Sequence, residues 1–201
     1  PVCEYTFMVF VSPVGPYFKG GVKPLNLKVT TAYHRAAPKG IGNAKAIGNY
    51  SASLYPLMEA KSQGYDEVIY LDAKHENRIE EVGSANVFIV KDNVLKTPKL
   101  DGSILPGVTR DSTITIAKKI HNHDVLETEI TIDEILHADE VFCTGTAVVV
   151  TPVGTITHQG EKIVIRDGNM GPCTQRLRET LVGIQLQEID DPFGWAIAVS
   201  G

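Results

Sequence analysis

Two hydrophobic periods alternate along this chain. Tyr5-Thr6-Phe7-Met8-Val9-Phe10-Val11 is apolar at odd and even positions alike, which predicts a strand buried on both faces. Residues 25 to 33 alternate and carry Val29, Thr30 and Thr31, so a second strand is expected there. From Ile47 the period changes. Ile47, Tyr50, Leu54, Leu57 and Met58 recur at helical spacing up to Gly64, a C-cap candidate. Pro56 falls inside this helix and is expected to kink it or interrupt a turn. Val68-Ile69-Tyr70-Leu71, residues 78–82 and residues 86–90 read as strands. The last turns through Lys91-Asp92-Asn93 into Val94-Leu95-Lys96.

Further on, Leu105-Pro106-Gly107-Val108-Thr109-Arg110-Asp111 leads into a helix with Ile114, Ala117 and Ile120 on one face. A strand is expected over 124–130. Thr131 then precedes Glu134 by three positions, the spacing of a capping box opening a short helix. A strand over 140–143, the turn Thr144-Gly145-Thr146-Ala147 and a strand over 148–153 follow. A helix over 172–186 and a closing segment from Trp195 to 199 complete the pattern. Strands and helices mix without a regular βαβ repeat. The expected class is therefore α+β, or an irregular α/β layout, rather than a doubly wound sheet.

The Pro- and Gly-rich stretch from Ser12 to Gly21 reads as a connector between domains. The expected division is residues 1–12 as the last strand of a small amino-terminal domain whose remainder is absent, 13–24 as the connector, and 25–201 as a large domain. No signal peptide is recognisable at Pro1.

Composition narrows the function. The chain has 201 residues, 43% hydrophobic and 21% charged, with a net charge of -5. That balance fits a folded soluble protein and argues against a nucleic-acid binder. No apolar run is long enough to span a bilayer. Cys3, Cys143 and Cys173 form no CxxC, which favours a reducing compartment, and no His/Cys/carboxylate set suggests a metal. The expected location is intracellular and cytoplasmic, with an organelle left open.

Four stretches carry candidate chemistry. Lys45 lies among small residues at the mouth of the first helix, with Tyr50 five positions on. An unprotonated lysine there can form a Schiff base with an aldehyde, and a solvated surface lysine is the alternative. Glu81, at a strand end before Gly83 and Ser84, could bond a ring nitrogen, or could be a surface acid beside Glu80. Gly107-Val108-Thr109 could bind phosphate at a helix start, or Thr109 could be a plain N-cap. The turn over 144–147 could form an anion-binding nest, or simply join two strands. Together they match the needs of pyridoxal 5'-phosphate. Arg35 adds a fixed positive charge that could hold the Lys45 amine neutral by repulsion.

These residues resemble the class IV pyridoxal-phosphate-dependent aminotransferases, and branched-chain amino-acid aminotransferases in particular. Residues 81 to 110 look like the whole class IV signature: Glu81, Asn86-Val87-Phe88, Leu95-Lys96-Thr97 and Leu105-Pro106-Gly107-Val108-Thr109-Arg110. Arg35, Lys45, Asn49-Tyr50, Gly145-Thr146-Ala147, Pro13-Val14-Gly15 and Phe193-Gly194-Trp195 extend the likeness over nearly the whole chain.

The resemblance implies fold type IV, like that of D-amino-acid aminotransferase, with this chain as the large carboxy-terminal domain of a homodimeric enzyme. It implies Lys45 as the catalytic lysine, and Arg35, Lys45, Tyr50, Glu81, Val108, Thr109 and Thr146 around the cofactor. Ser84, Gly145 and Ala147 would lie near substrate. The implied reaction is transamination of L-leucine, L-isoleucine and L-valine with 2-oxoglutarate, giving the 2-oxo acids and glutamate. D-amino-acid transamination and aminodeoxychorismate lysis on the same fold are the alternatives, with an inactive truncated domain a third. Val148 and Thr151 stand where mammalian branched-chain enzymes carry a redox CxxC, so thiol regulation of that kind is not expected. The family's amino-terminal domain supplies a phosphate-binding arginine and aromatic residues of the substrate pocket.

Overall fold

The computed structural model describes residues 3–10 and 21–198. Its elements run in the order β1 (Leu25–Val29), α1 (Ile47–Ser62), β2 (Glu67–Leu71), β3 (Ile79–Val82), β4 (Asn86–Lys91) and β5 (Val94–Pro98). They continue with α2 (Val108–Lys119), β6 (Val125–Thr128), α3 (Ile132–Leu136), β7 (Glu140–Gly145), β8 (Val149–His158), β9 (Glu161–Val164) and α4 (Pro172–Gln185).

The nine strands of the described residues form one mixed sheet of order β3-β2-β1-β8-β7-β4-β5-β6, with β9 on β8. β1 runs parallel to β2 and β8, and β5 parallel to β6; the other pairs are antiparallel. The two ends of the sheet then meet. Ile79 N donates to Ile130 O at 2.8 Å and Ile132 N to Asn77 O at 2.9 Å, which curls the sheet into a half-barrel. This is the α+β layout that the sequence pattern led us to expect.

Strands apolar on both faces explain the layering. In β4, Val87 and Ile89 point into the barrel core with Leu27, Ile69, Val141 and Ile156. Phe88 and Val90 point outward, where α2 and α4 cover them through Ile116, Leu177, Leu181 and Ile184. Period-2 alternation buries both sets because helices cover the outer face. Phe88 and Phe142 stack there at 5.0 Å. Short-range signals held as well. Asp92 and Asn93 take positive φ in the β4–β5 turn, and Thr131 with Glu134 forms a full capping box on α3.

Three expectations fail. Residues 3–10 form no strand, and Tyr5, Phe7, Met8, Val9 and Phe10 are 73–92% exposed. A lone extended segment is stable only when a neighbouring strand takes its hydrogen bonds, and none of the described strands pairs with it. Val11 and residues 12–20, which hold most of the connector expected over 13–24, lie outside the described residues.

The apolar stripe of α1 does not pack inward either. α1 lays Asn49, Pro56 and Ala60 on the sheet, while Ile47, Leu54 and Met58 are 59–86% exposed. Pro56 sits inside α1, buried against the sheet. Lastly, Gly107, not Thr109, is the N-cap of α2, and no side chain caps that helix. Among the described residues no helix is long and apolar enough to cross a membrane.

Candidate active site

β3 delivers Glu81 and its neighbour Glu80 to the same guanidinium. Both acids are buried, at 3% and 2% exposure, and neither is the surface acid that the sequence left open. Arg35 Nε lies 3.1 Å from Glu81 Oε2 and 3.1 Å from Glu80 Oε1. Its Nη2 lies 3.1 Å from the same Glu80 oxygen and also donates to Ser103 O. Arg35 is thus held by carboxylates rather than directed at Lys45, and the like-charge repulsion expected of it is not the role its contacts describe.

The other oxygen of Glu81 is held equally firmly. Glu81 Oε1 accepts from Leu105 N at 2.9 Å and from Asn86 Nδ2 at 3.0 Å. Asn86 Nδ2 also donates to Leu105 O at 2.9 Å. Burial pushes the Glu81 carboxyl up to about 7, against the pull of Arg35 and of the Leu105 N–H. Glu80 is likewise pushed up to about 7 by burial, with Arg35 opposing.

Asn86 ties this acid to α2. A Cβ on Gly107 would fall 2.3 Å from Asn86 Oδ1, so the chain must be glycine where α2 begins. The first N–H groups of α2 have no intrahelical partner and no side-chain cap. Asn86 also pairs with Thr144 in the β4–β7 ladder, which sets the 144–147 turn beside the same strand end. That turn runs into Val149 at φ 54, a left-handed conformation that a β-branched residue adopts only when held there. Thr151 Oγ1 and Arg178 Nη1 hold it by donating to the Val148 and Val150 carbonyls, at 2.6 and 2.7 Å respectively.

Lys45 arrives from the opposite side. Its loop is clamped by Asn49, whose Nδ2 donates to Ile41 O at 2.8 Å and Ala44 O at 3.0 Å. Gly42 packs so closely on Ser103 O that an added Cβ would stand 2.1 Å away. The lysine loop is therefore seated on the segment that carries Arg35's acceptor and Glu81's donor. Lys45 itself is exposed, and its Nζ donates to Tyr50 Oη at 3.0 Å. Tyr50 lines one cavity with Arg35, Glu81, Ser84 and Leu105.

The other expected residues are less convergent. Thr109 is half-buried at the α2 start. Thr146 and Ala147 are exposed and lie outside that cavity's lining. The Val108 side chain is 83% exposed and lines a separate groove with Leu181 and Trp195, so only its backbone N–H faces the helix end. Asn86, Asn49 and Ser103 organise the site, yet none was singled out from sequence. The signal for the two asparagines lay in the motifs that contain them.

The donor set suits a phosphorylated, aldehyde-bearing heteroaromatic ring. A primary amine lies beside a phenol, and a buried acid opens on the phenol's cavity. An uncapped helix start with Thr109 nearby can take an anion. Thr144 Oγ1, at the edge of the 144–147 turn, is buried without a protein partner. Among the described residues no cluster could hold a metal ion.

Comparison with known proteins names the class. The amino-transferase class IV model matches residues 1–156; the chain belongs to the class IV aminotransferase family. Within it the likeness is to branched-chain enzymes. The chain is 48% identical to the chloroplastic branched-chain-amino-acid aminotransferase 3 of Arabidopsis thaliana over 100% of its own length and 48% of the relative's. It is 44% identical to branched-chain-amino-acid transaminase 1 of Bacillus subtilis, over 98% and 57%. The Escherichia coli branched-chain amino acid aminotransferase superposes with a TM-score of 0.82 at 37% identity, covering 92% of this chain and 59% of that one. The chain thus spans about half the length of the curated relatives it matches.

Proposed function

We propose that the protein containing this chain transaminates L-leucine, L-isoleucine and L-valine with 2-oxoglutarate, using pyridoxal 5'-phosphate held on Lys45. The observation that carries this reading is that Tyr50 and the buried Glu81 carboxylate line one cavity, and that Lys45, outside its lining, reaches it through the hydrogen bond of its Nζ to Tyr50 Oη. The names of the relatives support the branched-chain substrates.

Bound there, the cofactor supplies an electron sink for the substrate's α-carbon. The chain's own residues do the rest. Lys45 Nζ would hold the cofactor's aldehyde and, as a free amine, would take the substrate's α-proton and return one. Tyr50 Oη, already within hydrogen-bond reach of Nζ, orients that amine. Glu81 would bond the ring nitrogen and favour its protonated form. The α2 N–H groups and Thr109 take the phosphate. Gly145, Thr146 and Ala147 offer backbone N–H groups to the substrate carboxylate, beside Ser84. The exposed apolar face of α1 supports a homodimer, or a second domain laid over it.

Borohydride reduction of the full-length protein with bound cofactor, followed by peptide mapping, tests the assignment. The label is expected on Lys45, and turnover is expected with L-leucine but not D-alanine. A label on any other lysine, or turnover of D-alanine alone, overturns it.

A further inference from the structure

Consecutive residues of a regular strand point to opposite faces, so Glu80 and Glu81 should not reach one cation. They do, because β3 is irregular. Ile69 pairs with Val82 and Tyr70 with Glu81, but the next partner of β2 is Ile79, opposite Leu71. Glu80 is the extra residue of a β-bulge, a device that re-aims side chains beside functional sites. It turns the Glu80 carboxylate towards Arg35.

The result is two buried carboxylates on one guanidinium. Arg110, the other arginine near Glu81, donates to Glu127 Oε2 and to Pro98 O, both at 2.9 Å. Around Glu80 stand Asp72, Lys74, His75 and Arg78 from the chain before and at the start of β3, Lys99 and Asp101 after β5, and Glu129 after β6. Arg78 and Lys99 are engaged by Glu129 at 2.7 and 2.9 Å. Asp72 accepts from the Lys74 and His75 N–H groups and adds a further negative charge near Glu80. With both carboxylates ionised, the trio would bury a net negative charge, which is strongly disfavoured away from water.

We propose that Glu80 is a positioning residue for the aminotransferase site: it shares Arg35 with Glu81 across the bulge, and the two acids hold one proton between them until a ring nitrogen docks on Glu81. This rests on the reading of the site given above. Burial raises both carboxyls, in keeping with a shared proton. When the nitrogen arrives unprotonated, Glu81 passes that proton to it. Two carboxylates then surround two cations, and the trio plus ring is neutral. Glu80 touches neither cofactor nor substrate; it acts through Arg35.

Infrared spectroscopy of full-length protein labelled with carboxyl-13C glutamate tests this, with cofactor stripped and then with pyridoxal 5'-phosphate added, at about pH 6 where a free glutamate is ionised. Stripped wild-type protein is expected to show the carbonyl stretch of a protonated glutamic acid, and the band is expected to vanish when cofactor binds. Stripped E80Q should lack the band, because Glu81 alone then pairs with Arg35, and E80D should retain it. No such band in stripped wild-type protein overturns the proposal without any variant. So does a band unchanged in E80Q, or one that persists after cofactor has bound. Failure to bind cofactor is read separately, by the absence of yellow absorbance, and counts against the site reading itself.

Discussion

The two walls of the cleft are built differently. The acid wall, formed by β3, the start of β4 and the α2 N-terminus, is buried and over-determined. Glu81 has three partners, Asn86 bonds both Glu81 and Leu105, and Gly107 has no room for a Cβ. The amine wall, formed by the Lys45 loop and α1, is open. Lys45 is exposed with one hydrogen bond, to Tyr50, and the apolar stripe beyond it faces solvent. A carboxylate needs a fixed, dry environment to act on a ring nitrogen. An amine that must be displaced and returned needs room to move.

Breaking the amine wall should abolish chemistry without touching the fold. Lys45→Ala in the full-length protein should lower transamination by at least the roughly 10²–10⁴-fold that a positioned proton-transfer group contributes. Its urea midpoint should stay unchanged. A large loss of stability in that variant would show that the two walls are not separable in this way.

Breaking the acid wall should do the reverse. Gly107→Ala forces a Cβ onto Asn86 Oδ1 and should destabilise by about 1–3 kcal/mol, the usual cost of overpacking. Asn86→Ala leaves the Leu105 carbonyl and one Glu81 lone pair without this donor, for a cost of similar size. Urea denaturation measures both.

A pH titration sharpens the contrast further. Glu80 and Glu81 have carboxyls raised in the folded state, to about 7. Stability tied to such a group is fully present below the unfolded carboxyl range and is lost as pH climbs through the folded value. The melting temperature of cofactor-free protein should therefore fall between about pH 5 and pH 8. Lys45→Ala should leave that slope intact.

The smallest effect on stability is expected on the exposed apolar stripe of α1, whose Leu54 borders the cavity. Leu54→Ser in this chain should change stability by no more than about 0.5 kcal/mol, as for other surface positions. Leu181→Ala, on the covered face of α4, should cost about 2–5 kcal/mol. A comparable loss at Leu54 would mean that the α1 stripe is packed after all.

The same contrast explains what the sequence disclosed. Local rules sufficed where a residue acts on its own neighbourhood: the Asp92-Asn93 turn, the Thr131–Glu134 box, and the short apolar strands over 68–71 and 86–90. Helical spacing found α1 but misjudged which face is buried. Periodicity records an apolar stripe and is silent on what covers it. The residues that assemble the acid wall were hidden for a related reason. Asn86 meets Leu105 across 19 positions and Arg35 meets Ser103 across 68, and spacing along a strand cannot reveal such pairs. Glu80 was given no role from sequence, because strand alternation would set it on the face opposite Glu81, and the bulge cancels that rule. Lys45, Tyr50 and Glu81 were picked out by motif spacing, and the structure bonds Lys45 to Tyr50 and sets Tyr50 and Glu81 on one cavity.

The central claim is that the buried acid of one wall governs a ring held by the amine of the other. The 15N chemical shift of ring-labelled pyridoxal 5'-phosphate bound to the full-length protein tests it most directly. A protonated ring nitrogen is expected in the wild-type protein and an unprotonated one in Glu81→Gln, with the label still attached at Lys45. A nitrogen that is unprotonated in the wild-type protein, or unchanged in Glu81→Gln, would contradict it.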